Sequence, residues 1–141
     1  MKYAKWISAL MLLFVPIMAA AQLQPSERIV TQVPFSFVVA NTVIPAGECT
    51  IQNVDEQGWR LTVSNRDAKV NIFVLASAGL QKKAPAVSSL VFHKYGNRYF
   101  LSEVKIGNSR EVYTFHQGKL ESEMRAQNAP TTEEILLAAR K

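Results

Sequence analysis

Leu90-Val91-Phe92-His93-Lys94-Tyr95, then Gly96-Asn97, then Arg98-Tyr99-Phe100-Leu101-Ser102-Glu103-Val104 is the stretch that decides the fold. Two apolar runs flank a two-residue Gly-Asn link, the pattern of a β-hairpin. Glycine at the first central position favours a type II′ turn, whose twist matches that of the flanking strands. That turn sets the register: Tyr95 faces Arg98, Lys94 faces Tyr99, His93 faces Phe100 and Phe92 faces Leu101. Alternation then divides the side chains. Val91, His93, Tyr95 and Phe100 share one face; Leu90, Phe92, Tyr99 and Leu101 share the other. Both faces carry large apolar groups, so cover is expected on both sides.

Upstream, more strands follow the period-two rule. Ile29 to Val33 is rich in β-branched residues, and Phe35, Phe37 and Val39 alternate after Pro34, which cannot donate to a ladder and marks a break or an edge. Ile44-Pro45-Ala46-Gly47 is a turn. Glu48 to Val54 places Cys49 and Ile51 on one side. After Asp55-Glu56-Gln57-Gly58, Trp59, Leu61 and Val63 alternate with Arg60, Thr62 and Ser64, which predicts a buried face holding all three apolar residues. Val70 to Ala76 is a further strand. Ser77 to Ser88, with Lys82, Lys83 and Pro85, reads as the longest loop.

Downstream, Val112 to Phe115 fits a short strand or the entry to a helix. Lys119 to Arg125 is helical, with Leu120 and Met124 on one face and Glu121 and Arg125 as an i,i+4 charge pair. Thr131-Thr132-Glu133-Glu134 resembles a capping box that opens a short helix through Ala139. The fold expected is mainly β, an antiparallel β-sandwich or small barrel with a short C-terminal helix or helices. Its parts are a signal peptide (1–21), a flexible leader (22–28), a β domain (29–116) and a helical C-terminal tail (117–141).

The signal peptide rests on Lys2 and Lys5, the apolar run Ile7 to Met18, and Ala19-Ala20-Ala21. The apolar run is shorter than a bilayer span, so cleavage rather than anchoring is expected, with a mature chain beginning at Gln22. The chain of 141 residues has a formal charge of +5 and one cysteine. A single Cys forms no internal disulfide, so stability must come from packed apolar surface. Export together with scattered cations points away from nucleic acid. Location is expected to be periplasmic or secreted.

Phe35 to Asn41 followed by Ile44 to Ile51 resembles an F-x-V-x-N…P-A-G-x-Y-x-I pattern. Val91 to Leu101 resembles its companion, V-F-H-x-Y-G-x-R-Y-F-L. Together they are similar to a group of small exported bacterial proteins with no assigned activity. The resemblance implies export and a β-rich fold and carries no catalytic residues. Cys49 stands where that pattern has Tyr.

Chemistry is sparse. The two histidines, His93 and His116, are far apart and make no zinc spacing. No nucleophile elbow, phosphate-cradling loop or cofactor motif is present. The expected role is a non-enzymatic binding or structural module of the bacterial envelope. Its partner would be an envelope protein, a polymer or a small molecule. The contact residues are Tyr95, Arg98 and Tyr99 at the hairpin tip, the residue types of binding hot spots, with Lys82 and Lys83 nearby in sequence. Lys82, Lys83, Lys94, Arg98 and Lys105 offer a basic surface for an anionic envelope polymer. Three rival readings have residues attached. Phe35, Phe37, Trp59 and Phe92 would line an interior that carries a small apolar ligand. Cys49 and His93 would form the pair of a hydrolase. Ile29 to Val39 would add as a strand to another chain.

Overall fold

The computed structural model describes residues 28–55, 57 and 59–136. The signal peptide and the leader up to residue 27 lie outside the described residues, as do residues 137–141. The chain is mainly β. Ten strands run in order: β1 Arg28–Val33, β2 Phe37–Val39, β3 Thr42–Ile44, β4 Gly47–Asn53, β5 Arg60–Asn65, β6 Val70–Leu80, β7 Ser89–Tyr95, β8 Arg98–Lys105, β9 Glu111–Phe115 and β10 Thr131–Leu136. One helix, α1 Lys119–Gln127, lies between β9 and β10.

The strands form one continuous sheet in the order β1-β4-β5-β6-β9-β8, with β2-β3 and β7-β10 attached to β8. Strand β6 is the hinge between two layers. Its first half, Val70 to Leu75, pairs with β5, and its second half, Ala76 to Leu80, pairs with β9. The layers face each other across a core that joins Val33, Cys49, Ile51, Leu61 and Val63 of the first to Leu90, Phe92, Leu101 and Val104 of the second. Each fully buried Leu or Phe of this set contributes about 2 kcal/mol. Pairing is antiparallel except between β2 and β8, which run parallel at Phe37–Tyr99 and Val38–Phe100.

The hairpin has the register its turn demands: Tyr95 pairs with Arg98, Lys94 with Tyr99, His93 with Phe100 and Phe92 with Leu101. Gly96 has φ +60°, and Asn97 is not among the residues with positive φ, as a type II′ turn requires. Both faces are covered. Leu90, Phe92 and Leu101 enter the main core. Tyr95 and Phe100 join Val38 in a second cluster, roofed by Leu120 and Met124 of α1.

Several elements depart from the expected pattern. The loop predicted from Ser77 begins only at Gln81, because the partner strand β9 extends the ladder to Leu80. Trp59 is 61% exposed rather than buried. It precedes the first paired residue of β5 and bonds through its backbone, its amide donating to Asp55 Oδ1 at 2.9 Å and its carbonyl accepting from the Ala76 amide at 2.9 Å, so its ring lies past the end of the packed layer. Among the described residues the tail is helical only in α1. Thr131–Leu136 is a strand, antiparallel to β7 with Thr132 opposite His93. A single turn after a capping box is unstable alone, and the unpaired edge of β7 offers six residues a complete ladder instead. The Glu121–Arg125 pair does not form: Arg125 donates to Gln117 Oε1 at 3.3 Å, and Glu121 turns inward.

Candidate functional site

The five residues expected to make a contact surface are not brought together. Tyr95 is fully buried, so it offers no surface. Tyr99 is half-buried, its ring stacked on Phe35 at 3.7 Å with Lys94 Nζ 5.2 Å from its centroid. Only Arg98 is exposed at the tip. Lys82 and Lys83 are exposed at the opposite end of the hairpin, roughly 20 Å away along β7. Their loop, residues 81–88, is tied to the β8–β9 turn. Asn108 N donates to Pro85 O at 2.7 Å, and Gly107 N donates to Ser88 Oγ at 2.8 Å.

That end of the molecule carries its own constellation. Gln81 N donates to Arg110 O at 2.8 Å, and Arg110 Nε donates back to Gln81 O at 2.9 Å. The two-way bond fixes Arg110 beside the residue that leads into Lys82-Lys83. None of these three cations pairs with a carboxylate among the described residues. Leu80, 70% exposed, stands next to them. Arg110 was not singled out from the sequence, because the pairing of β6 with β9 that places it there is long-range.

A second constellation lies beneath α1. Glu121 is the one buried residue of that helix. Its Oε1 accepts from the Tyr95 hydroxyl at 3.2 Å and lies 3.0 Å from His93 Nδ1. His93 Nε2 lies 3.3 Å from Ser102 Oγ. Burial, then the neighbouring Glu121 carboxylate, hold the Tyr95 phenol above its ordinary pKa, with Arg125 opposing. The phenol therefore stays a donor. The connectivity is carboxylate–imidazole–hydroxyl, a proton relay in form. Ser102, however, is only 9% exposed and sits mid-strand. A small pocket beside Glu121, lined also by Val38, Asn41, Phe100 and His116, has a volume of about 10 Å³, room for about one water.

The other sequence candidates fall elsewhere. Cys49 is fully buried in the main core, and burial pushes its thiol up to about 12, so it is a packed apolar group and a poor nucleophile. Both ring nitrogens of His93 are engaged by Glu121 and Ser102, and Cys49 is not its partner. His116 contacts Ser77 Oγ at 3.2 Å. Phe35 and Phe37 each pack edge-to-face on Phe92, with centroids 5.1 and 5.3 Å away, whereas Trp59, the fourth residue of the carrier reading, is exposed. Strand β1 pairs only with β4 and forms an edge of the sheet among the described residues. On the outer face of β6, Phe73 and Leu75 are 73% and 68% exposed. No group of three metal-ligating side chains occurs, and no helix is long and apolar enough to cross a membrane, among the described residues.

Comparison with protein-family models, with curated proteins and with solved structures returns no match.

Proposed function

We propose that this is an exported, non-enzymatic binding module whose contact surface is the basic end of the sandwich, and that it binds an anionic polymer of the bacterial envelope. The observation that carries the reading is the reciprocal Gln81–Arg110 bond, which holds a guanidinium against the Lys82-Lys83 loop. Two lysines on a loop anchored at Pro85 and Ser88, with Arg110 of the β8–β9 turn fixed beside them and none of the three paired with a carboxylate among the described residues, are a fixed positive surface rather than a mobile tail. Such a surface attracts acidic partners at range and holds them weakly, within a Debye length of about 8 Å at physiological salt. The buried, alkaline-shifted Cys49 thiol also supports a role without covalent chemistry.

The test is binding of the purified protein to polyglutamate, a soluble polyanion, as salt is raised. Lys82→Glu combined with Lys83→Glu is expected to weaken binding at least tenfold, and 0.5 M salt to abolish it. Equal affinity of the charge-reversed variant, or equal binding to a neutral polymer, would overturn the reading. Vesicles of anionic phospholipid form the second arm. Binding to them without binding to polyglutamate would replace the polymer with a lipid surface.

A further inference from the structure

We infer that the apolar end of the first layer is a lipid-contacting surface, by which the protein rests in the headgroup region of a bilayer. Strand register builds it. Phe73 and Leu75 stand exposed on the outer face of β6, opposite Thr62 and Arg60 of β5. Val54, just past β4, lies on the same face; its amide donates to Arg60 O at 3.0 Å, and its side chain is exposed. Arg60 therefore stands between Val54 and Leu75. Trp59 is exposed at the end of the same strand. Side chains hold that end in place. Asp55 Oδ1 accepts from Trp59 N at 2.9 Å, and Asn53 Oδ1 accepts from Asp55 N at 3.1 Å. The apolar groups sit on paired strands and beside a pinned turn, so contact demands little ordering of them.

Area, depth and charge choose the occupant. Val54, Trp59, Phe73 and Leu75 offer on the order of 500 Å² of apolar surface. That is short of the roughly 800 Å² per partner of a stable protein interface, so a second copy finds too little to hold it. A bilayer needs no matching shape, only apolar side chains within about 5–10 Å of its boundary. From the Phe73 row to the Trp59 row the strands advance about 10 Å, which matches that depth. Charge suits the headgroups. Arg28 shares the row of Gln52, Thr62 and Phe73 across the face. Arg60 is exposed and meets Asp55 through Nε at 3.8 Å, which leaves its outer nitrogens to lipid phosphates. Glu48 belongs to the far end of this face, opposite Gln32.

This surface is separate from the basic end. Leu75 and Gln81 are about 20 Å apart along the chain of β6. The two surfaces also differ in salt dependence. Attraction to the lysines is screened by salt, whereas burial of Phe73, Leu75 and Trp59 in lipid survives it. Vesicle binding that salt abolishes belongs to Lys82 and Lys83; binding that resists salt belongs here.

The experiment is co-sedimentation of the protein recovered after export with vesicles of phosphatidylcholine and phosphatidylglycerol, in 0.5 M salt. Phe73→Ser combined with Leu75→Ser is expected to lower partition roughly tenfold or more. Lys82→Glu combined with Lys83→Glu should leave it within about twofold. A second measurement leaves the patch unaltered. In a Trp6→Phe background Trp59 is the sole tryptophan. Its emission should shift to the blue on vesicles and be quenched by lipid brominated near the headgroup end of its chains. Equal partition of the Phe73 and Leu75 variant, an unshifted Trp59, or a loss that follows Lys82 and Lys83 would overturn the inference. So would a concentration-dependent dimer, formed without lipid and lost in the Phe73 and Leu75 variant, which would assign the face to a second copy.

Discussion

Leu101 and Val104 lie three residues apart on β8, yet both are buried in the main core, opposite Phe92 and Leu90. Strict alternation would send one of them outward. The ladder slips between Val91 and Phe92, so that Ser102 is the extra residue of a β-bulge. The bulge does two things at once. It returns Val104 to the core, and it leaves Ser102 on the helix side, beside His93 Nε2.

Removing the bulge should therefore cost the helix side and spare the core. Ser102→Ala removes one hydroxyl contact and is expected to cost about 1 kcal/mol. Deletion of Ser102 leaves Leu101 and Val104 two apart, both still facing the core opposite Phe92 and Leu90, and is expected to keep cooperative unfolding while losing the same hydroxyl contact. Urea denaturation of the two variants checks this. Loss of cooperative unfolding on deletion would mean that the bulge itself is needed to hold the register.

The Tyr95 hydroxyl meets a buried carboxylate, so its removal should be felt in stability. Tyr95→Phe keeps the ring against Phe100, at 5.5 Å between centroids, and deletes only the donor to Glu121. The expected loss is about 1–3 kcal/mol, because Glu121 is left short of a partner away from water. Tyr95→Ala adds a cavity and should cost about 3–5 kcal/mol. Arg98→Ala, on the exposed tip, should cost less than about 0.5 kcal/mol. A denaturation series over the three variants separates a structural tyrosine from a surface one.

How much of this was legible in the sequence follows from range. The hairpin register was legible because a two-residue turn fixes it locally, and Phe37, Val39, Leu61 and Val63 were legible as core because strand alternation is local too. Leu120 and Met124 were legible as one helix face. What could not be read depends on partners distant in the chain. Thr131–Leu136 reads as a capped helix until the open edge of β7 is known. Glu121 reads as half of a surface pair with Arg125 until β7 is seen beneath it. Tyr95 and Tyr99 read as a binding tip until Phe35 and α1 are placed over them.

The β2–β3 connection holds strain that a substitution can release. Ala40 and Asn41 both have positive φ, +48° and +62°, the conformation of a type I′ turn. Asn tolerates it, whereas a Cβ at Ala40 works against it. Asn41 is also tied to α1 through Leu120 N. Ala40→Gly relieves the steric cost and loses some through a more flexible unfolded chain, for an expected net gain of about 0.5–1 kcal/mol. Asn41→Ala should go the other way by about 1–2 kcal/mol, losing both the favoured conformer and the helix acceptor. Thermal melts of both variants test the pair.

Cys49 gives the fold an alkaline limit. Its thiol is held up to about 12 by burial, against 9.0 when free. The unfolded chain therefore gives up the proton first as pH rises, and the folded state loses ground. The contribution is fully present below about pH 9 and lost progressively towards pH 12, on the order of 4 kcal/mol over the whole window. Cys49→Ala removes that titration but leaves a small cavity. At pH 7.5 the variant should be the less stable by about 1–2 kcal/mol, and the gap should close between pH 9 and 10.5 as the unmodified protein weakens. Urea midpoints for both proteins across that range give the result. In parallel, a thiol reagent at pH 8 should label Cys49 only as fast as the chain opens. Rapid labelling without unfolding, or a stability gap that stays constant with pH, would show that the thiol is neither sealed nor shifted.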